Sequence, residues 1–312
     1  MDRLRILAET QGFFTRPDAL ANGYDDGAIQ RAVRAKLWVR IRAGAYTMTD
    51  LWAAADDDRR HRARAHAVMQ KHGDRVALSH VSAAVEHGLA HFGQDLDVVH
   101  VTRLDGGAGR REAGVWHHEG FLVPDDLIEV DGMLIVRPER AALEAALLVP
   151  AGPGLVTIDS VIRHLGGREA LDETFVLMSS WPGIRRLQVV VRLGDGRAES
   201  VGESLGRHLM FNHGLPMPEL QFEVYDGQGN LMGTTDFAWP RHHLLGEFDG
   251  KVKYGRLLRE GEEPGDAVFR EKVREDLLRE ATRWGMVRFI WRDLFHGSET
   301  AARIRRLMRH AA

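Results

Sequence analysis

The residues best placed for chemistry form an alternating charged stretch, GEFDGKVKYG, at positions 246–255. Every second position carries a charge, and the four charged residues are Glu247, Asp249, Lys251 and Lys253. Because strand side chains alternate between faces, all four project from one side of a predicted strand. Two carboxylates beside two ammonium groups form either a solvated outer face or a working site.

A second predicted strand, LMGTTDFAW, supplies a further carboxylate to this face. If PRHH (240–243) forms the hairpin loop, Trp239 faces Leu244. Counting outward along both strands then places Asp236 opposite Glu247. Directly opposed Cβ atoms lie about 5 Å apart. Two carboxylates at that separation repel each other unless a cation lies between them.

This carboxylate pair predicts a divalent-metal site. Mg²⁺ or Mn²⁺ favours hard oxygen ligands, and Mg²⁺ usually keeps waters and substrate phosphate in its remaining positions. Lys251 or Lys253 would stabilise the charge that develops on a scissile phosphate while a metal-bound water attacks it. The alternative is that Asp236 and Glu247 are exposed members of a polar sheet face.

The elements around this pair, within residues 193–312, follow a defined order. The first is a predicted helix, ESVGESLGRHLMFNHG, which is followed by three antiparallel strands, LQFEVYD, LMGTTDFAW and LLGEFDGKVKY. Next come a long helix, PGDAVFREKVREDLLREATRWG, and a fourth strand, MVRFIW. The long helix lets the fourth strand return parallel to a neighbour, which a hairpin cannot do.

In this order and in its acidic residues, the region resembles the PD-(D/E)XK nuclease superfamily, in the branch of the very-short-patch-repair endonucleases. The resemblance implies that Asp236 and Glu247 are the metal-binding acids and that Glu203, on the first helix, supports the metal. Asp249 is either a further ligand or a neutralising partner for the lysines. Many members have Glu-x-Lys, whereas this chain has Glu-Phe-Asp and reaches its lysine two positions later, at Lys251. Either the role of the lysine has moved or the domain binds DNA without cutting it.

Residues 1–50 predict a small helical unit that ends in a basic hairpin. Three short helices, LRILAETQG, TRPDALANG and YDDGAIQRAVRAKL, precede the alternating strands of WVRIRAGAYTM. This is the order of a winged helix-turn-helix domain, which places its recognition helix in the major groove of double-stranded DNA. The basic residues on that helix and wing, which predict DNA binding, are Arg31, Arg34, Lys36, Arg40 and Arg42. The alternative is a small packing module.

The N-terminal half resembles AbiEi-family antitoxins of type IV toxin–antitoxin systems. The resemblance rests on FFTRPDALANGYDDGAIQRAVRAKLWVRIRAGAYTM, on LSHVSAAVEHGL, on the VHVT strand and on the PERAALEAA helix. It implies sequence-specific DNA binding and autoregulation at a gene promoter. It also implies a cognate nucleotidyltransferase-type toxin as a partner.

Several sequence motifs resemble known active sites, but the predicted elements on which they lie exclude or weaken those assignments. GESLG (202–206) matches the G-x-S-x-G nucleophile elbow, but its serine falls inside a predicted helix, well after the predicted strand LQVVVRL. Ser200-x-x-Glu203 also fits a capping box, so the alternative role of Glu203 is to cap its helix. The adjacent pairs His117-His118 and His242-His243 would diverge on a strand, which predicts surface or core histidines and not ligands.

Composition narrows the remaining function classes. The 312 residues allow two or three domains. The chain has 42 basic and 45 acidic residues, so any DNA contact must come from local patches. It has no cysteine, which excludes disulfides, thiolate zinc sites and cysteine nucleophiles. The absence of a signal-peptide core or a membrane-length apolar run predicts a cytoplasmic protein without membrane contacts.

Together these patterns predict an α+β multidomain protein. Its expected parts are a winged helix-turn-helix (1–50), a charged linking helix (51–74), a middle mixed α/β module (75–192) and a restriction-endonuclease-like α/β domain (193–312). Two functions remain open. The first is a Mg²⁺-dependent endodeoxyribonuclease that cuts with Asp236, Glu247 and a lysine. The second is an AbiEi-like antitoxin or transcriptional regulator whose nuclease fold only binds.

Overall fold

The structure, a computed structural model, describes residues 3–250 and 264–310 of the chain. It divides into two compact units, and each unit consists of two separate segments of the sequence. Unit 1 comprises Met1–Val149 and Glu169–Leu187, and unit 2 comprises Pro150–Arg168 and Gln188–Ala312. The chain is therefore an α+β multidomain protein, as the sequence predicts.

Unit 1 begins with a group of short elements around a three-stranded antiparallel sheet, ordered β1-β3-β2. The elements are α1 (Arg3–Gln11), β1 (Phe14–Thr15), α2 (Arg16–Ala21), α3 (Asp26–Arg34), β2 (Trp38–Arg42), β3 (Ala45–Met48) and α4 (Thr49–Ala54). Thr15 caps α2 in a capping box with Asp18, and the Asp25 side chain caps α3. The core between these elements is aromatic, with Phe14 packed edge-on against Trp38 at a centroid distance of 4.8 Å.

The rest of unit 1 is built on a six-stranded mixed sheet, ordered β6-β7-β5-β4-β9-β8. Its elements before residue 150 are α5 (Asp57–His72), β4 (Val76–Leu78), α6 (His80–Glu86), β5 (Val99–Arg103), β6 (Arg110–Glu112), β7 (Val115–His118), β8 (Leu127–Val130), β9 (Met133–Val136) and α7 (Pro138–Leu147). The next helix, α8 (Ala151–Leu165), belongs to unit 2, and the chain then returns to unit 1 with α9 (Glu169–Leu177). β8 and β9 form the predicted hairpin, in which Asp131 and Gly132 both adopt the positive φ that a tight turn requires.

Unit 2 contains a four-stranded sheet in the order β10-β11-β12-β13. After α8, its elements are α10 (Gln188–Leu193), α11 (Val201–Asn212), β10 (Glu219–Tyr225), β11 (Leu231–Trp239), β12 (Leu244–Asp249), α12 (Pro264–Thr282), β13 (Gly285–Ile290), α13 (Trp291–Phe295) and α14 (Gly297–His310). The first three strands are antiparallel, and β13 returns parallel to β12 after α12. This parallel return agrees with the predicted crossover helix.

Two features of unit 2 differ from the sequence expectation. LQVVVRL was expected as a strand, but its residues 188–193 form helix α10, in which Val190 and Val191 are buried. The valines favour a strand locally, but burial among helices overrides that weak preference. In addition, α8 belongs to unit 2, so the expected boundary at residues 192 and 193 falls inside this unit.

None of the helices in the described parts of the chain combines the length and apolar character needed to cross a membrane.

Candidate functional site

The register between β11 and β12 places the candidate acidic residues of unit 2. The strands pair from Trp239–Leu244 to Phe237–Gly246, which is the register that the hairpin loop predicts. Beyond that point, the Asp236 carboxylate accepts a hydrogen bond from the backbone N–H of Phe248, with an Oδ2–N distance of 2.7 Å. Asp236 therefore lies beside the middle of β12, at the end of the paired segment.

Glu247 is buried and neutralised by arginine. Its side chain is only 7% exposed, and Arg274 of α12 donates a hydrogen bond to its Oε1. Nη2 of Arg288, the residue paired with Glu247 across β12 and β13, lies 3.3 Å from Oε2. Arg288 also contacts Glu275 at 3.1 Å, so two guanidinium groups and two carboxylates form one network. The positive charge that the sequence predicts beside Glu247 is thus supplied, among the described residues, by Arg274 and Arg288.

Glu203 is hydrogen-bonded to the residues at the start of its own helix. Its backbone N–H donates to Ser200 Oγ, and its Oε1 accepts from the same hydroxyl at 2.7 Å. Its Oε2 accepts from the Glu199 N–H at 2.9 Å and from Gln221 Nε2 at 3.1 Å. Ser200 is therefore the N-cap of α11, as the sequence allows, but the Glu203 carboxylate binds the N–H of Glu199 and not that of Ser200, so the capping box is incomplete.

Glu203 and Glu247 do not converge. Phe248 packs directly against Gly202 of α11, so side chains at that position of β12 face α11. Glu247 is the neighbouring residue, and strand alternation turns it to the opposite face, where it meets Arg274 of α12. The structure therefore separates the helix glutamate from the strand glutamate of the predicted ligand set.

Asp249, at the end of β12, projects from the same face as Glu247 because it lies two residues further along the strand. It is half-buried. Lys251 and Lys253 lie outside the described residues. Of the predicted set, the structure thus brings Asp236, Glu247 and Asp249 to neighbouring positions on β11 and β12.

In unit 1, most of the predicted DNA-binding residues are exposed. Arg31 and Arg34 occupy the last turn of α3, where cations interact favourably with the helix dipole. The Arg31 side chain is 74% exposed, and its guanidinium lies 4.0 Å from Asp25. Lys36, in the turn after α3, and Arg40, on β2, are also exposed. These four exposed cations lie within one stretch of the chain, from the last turn of α3 to β2, and are called here the α3–wing patch.

Arg42 departs from this pattern. The pairing of β2 with β3 shifts between Arg40 and Arg42, and such a bulge re-aims the side chains that follow it. Arg42 is half-buried, and burial lowers the pKa of its guanidinium. Its Nε finds no hydrogen-bond partner among the described residues. The structure therefore leaves Arg42 out of the exposed α3–wing patch.

Sequence reasoning missed two histidine-containing clusters in unit 1, each able to bring ligand atoms within 4.8 Å of one another. They are His80, His100 and His118, and His72, Glu112 and His117. The adjacent residues His117 and His118 do diverge on β7, as alternation predicts, but each meets histidines from other elements. No local spacing connects these elements, so only the long-range strand pairing could have revealed the clusters.

Comparison with known proteins gives relatives without a described activity. No family model matches this chain. Two proteins from Mycobacterium tuberculosis, of strains CDC 1551 / Oshkosh and ATCC 25618 / H37Rv, are each 32% identical to it over 173 residues and are described as uncharacterized. The match covers 54% of this chain, and the chain spans 63% of the length of each relative.

Proposed function

We propose that this chain binds double-stranded DNA through the N-terminal part of unit 1. The single observation that carries the proposal is the exposed α3–wing patch of Arg31, Arg34, Lys36 and Arg40. Three helices followed by a β2–β3 hairpin support a winged helix-turn-helix, in which α3 enters the major groove of DNA and the hairpin contacts the DNA phosphate backbone. A local patch of this kind allows DNA binding in a chain with a net charge of −3.

The proposed role is that of an AbiEi-like antitoxin or transcriptional regulator, on the resemblance described for the N-terminal half. In that role the DNA target is the promoter of the protein's own gene, and the partner is a nucleotidyltransferase-type toxin. The test is enrichment of duplexes from a random library by the full chain. A recovered consensus that occurs upstream of the gene supports the role, and a pool that stays random contradicts it.

Unit 2 is proposed to carry a PD-(D/E)XK-like fold that contacts DNA without cutting it. Its helix, three antiparallel strands, helix and parallel strand support that fold. The pairing of Glu247 with Arg274 and Arg288 supports a non-catalytic role, because a divalent ion would have to displace two guanidinium groups. Removing Glu247 from that network would take away the buried countercharge of both arginines, although Arg288 would keep its contact with Glu275.

The second candidate is a Mg²⁺- or Mn²⁺-dependent endodeoxyribonuclease. It is favoured by the placement of Asp236, Glu247 and Asp249 on neighbouring strand positions, where carboxylates suit a hard cation. In this candidate, Asp236 and Glu247 hold the ion, and Lys251 or Lys253 stabilises the charge that develops on the scissile phosphate.

A metal-binding and cleavage experiment separates the two candidates. The wild type and Asp236→Asn are heated with and without Mg²⁺ or Mn²⁺, and both are incubated with supercoiled plasmid. The binding-only proposal predicts no metal-dependent rise in melting temperature and no nicking. Metal stabilisation and nicking that Asp236→Asn abolishes, and that the control Glu219→Gln on β10 retains, would establish the nuclease instead.

A further inference from the structure

Three histidines from separate elements meet on one side of the six-stranded sheet of unit 1. His80 begins α6, His100 lies on β5 and His118 ends β7. Nδ1 of His100 lies 2.9 Å from Nε2 of His118. The imidazole of His80 stacks on that of His118 at a centroid distance of 3.6 Å. Each residue can offer a ring nitrogen within 4.8 Å of the other two.

A buried carboxylate, that of Glu144, contacts His80 of this cluster. Glu144 is fully buried, and its Oε2 lies 3.4 Å from Nδ1 of His80. The same oxygen accepts a hydrogen bond from the His80 backbone N–H at 3.1 Å. Arg140 fixes the position of this carboxylate by donating to Oε1 at 2.9 Å. Metal-ligating histidines usually donate their second ring N–H to such a carboxylate, which orients the ring and raises its basicity.

Burial keeps the three imidazoles in the form that binds metals. It lowers the pKa of His100 to about 4 and that of His118 to about 3, and the pKa of His80 falls well below its ordinary value for the same reason. All three rings are therefore neutral near pH 7, with a lone pair available. His80 also has a φ of +52°, a strained conformation for a residue with a side chain.

We propose that His80, His100 and His118 form a Zn²⁺ site in unit 1. Three neutral imidazoles are a recognised donor set for zinc that leaves a fourth position for water or a ligand. Nδ1 of His80 faces Glu144 and Ser79, so Nε2 is the ligand atom assigned to that residue. Adjacent ligand atoms around a tetrahedral ion lie about 3.3 Å apart for bonds of about 2.0 Å, close to the observed His100–His118 separation.

Metal binding requires one local movement. A ring nitrogen donates its lone pair in the plane of the ring, and the His80 and His118 planes are nearly parallel, at 16°. One of the two rings must therefore turn about its Cβ–Cγ bond so that both lone pairs reach one ion. His100 and His118 now share a proton between ring nitrogens 2.9 Å apart. On metal binding that proton would leave, and the ion would take its place between the two nitrogens.

The cluster also has an access path. His100 and Trp116 line a cavity of about 540 Å³ that is open to solvent. Trp116 stacks on His118 at 4.6 Å, and the guanidinium of Arg111 lies over the indole at 3.5 Å. A metal ion, and an anionic or water ligand in its fourth position, could enter through this cavity.

The second cluster, His72, Glu112 and His117, is a poorer cation site. Arg110 contacts the Glu112 carboxylate at 3.3 Å, and the charge of Arg42 also acts on that carboxylate. Nearby arginines therefore compete with a cation for the only acidic ligand of the cluster. This contrast makes His72 a suitable control position.

The test is a Co²⁺ titration of the untagged, chelator-treated full chain, followed by the visible absorption of tetrahedral Co²⁺. The variants are His118→Phe, which keeps the stacked ring, and His80→Asn, because asparagine tolerates positive φ. The control is His72→Phe. The wild type and the control are expected to bind one Co²⁺ with that absorption band, and Zn²⁺ should displace it. Each cluster variant should lose at least 10-fold in affinity.

Three results would overturn the site. The first is a wild type without the tetrahedral band, and the second is unchanged binding in both cluster variants. The third is loss of binding in His72→Phe alone, which would move the metal to the second cluster. Circular dichroism of each variant shows that it is folded. If His118→Phe does not fold, His80→Asn alone decides between these results.

Discussion

Burial keeps His100 and His118 of the six-stranded sheet unprotonated in the folded chain, so the stability of the fold should depend on pH in the acid range. The folded-state pKa values of His100 and His118, about 4 and about 3, lie below the unfolded value of about 6.5. At a pH between the folded-state and unfolded-state pKa values, the two histidines bind protons in the unfolded chain but not in the folded chain. This stabilisation is therefore complete above pH 6.5 and is lost as the pH falls toward 4 and then 3.

His118→Phe removes one of these groups, so the free energy of unfolding should fall less steeply between pH 6.5 and pH 4 than in the wild type. Denaturant unfolding at several pH values, in the presence of a chelator, measures the difference. The control is His164→Phe, the same substitution at an exposed histidine outside the cluster. Parallel curves for the wild type and His118→Phe would contradict the account.

The capping box of Thr15 and Asp18 makes a second prediction at the residue scale. Thr15 Oγ accepts from the Asp18 N–H at 3.3 Å, and Asp18 Oδ2 accepts from the Thr15 N–H at 2.7 Å. Thr15→Ala removes the hydroxyl and should cost about 1 kcal/mol of stability. Thr15→Ser keeps an oxygen and should cost much less. Equal losses for the two variants in denaturant unfolding would show that the cap is not the cause.

The Glu247 network makes a third prediction. Glu247→Gln leaves Arg274 and Arg288 without their buried countercharge. Because these arginines are about one-third exposed, the loss should lie between about 1 kcal/mol, as for an exposed pair, and about 3 kcal/mol, as for a buried one. Thermal unfolding compares this variant with Glu219→Gln, which changes an exposed carboxylate on β10. A melting temperature equal to that of the control would contradict the structural role.

At the scale of the elements, the contact between α11 and β12 can be tested with two glycines of one helix. A Cβ at Gly202 would lie 2.0 Å from the ring of Phe248, whereas a Cβ at Gly206 would lie 3.4 Å from the ring of Phe237, an ordinary contact. Gly202→Ala should therefore destabilise the protein by about 1–3 kcal/mol through overpacking. Gly206→Ala should be neutral or stabilising by up to about 1 kcal/mol, because alanine favours a helix.

Denaturant unfolding of both glycine variants measures this difference. The order of stability is the informative result. If Gly202→Ala were as stable as Gly206→Ala, the close approach of α11 to Phe248 would be wrong.

Much of the element order could be predicted from sequence because it depends on local signals. The hairpin turn at Asp131-Gly132 follows from turn chemistry, and the loop at 240–243 fixes the pairing of Trp239 with Leu244. The strand expected for LQVVVRL is wrong, because Val190 and Val191 are buried in helix α10 and packing overrides local propensity.

The site residues were harder to predict, since their partners are distant in sequence. Arg274 lies 27 positions from Glu247, and no spacing rule connects a helix arginine to a strand glutamate. The bulge that turns Arg42 inward depends on an irregularity in one strand pair. The three histidines of the proposed zinc site come together only through the pairing of β5 with β7 and the packing of α6.

At the scale of the whole molecule, the division into units also depends on long-range contacts. Asp159 of α8 forms a buried ion pair with Arg207 of α11, with an Nη1–Oδ2 distance of 2.7 Å. This contact ties α8 to unit 2, although the chain then returns to unit 1 at Glu169. Local signals cannot reveal such an interleaved arrangement. The stretch PAGPG (150–154) and the pair Gly166-Gly167 lie at two of the segment boundaries, but they do not indicate which unit each segment joins.

The salt dependence of DNA affinity tests the proposal that the molecule binds DNA through the α3–wing patch. Fluorescence anisotropy of a labelled mixed-sequence duplex is measured over a range of salt concentrations. The proteins compared are the wild type, the double variant Arg31→Ala/Arg34→Ala, and the charge-matched control Arg185→Ala/Arg186→Ala, whose residues are also exposed in unit 1. Each lost phosphate contact should reduce the slope of log affinity against log salt by about 0.9.

Arg31→Ala/Arg34→Ala should bind DNA more weakly than the wild type, with a slope shallower by about 1 to 2. The control should equal the wild type. The same affinity and slope in all three proteins would contradict DNA binding by the α3–wing patch.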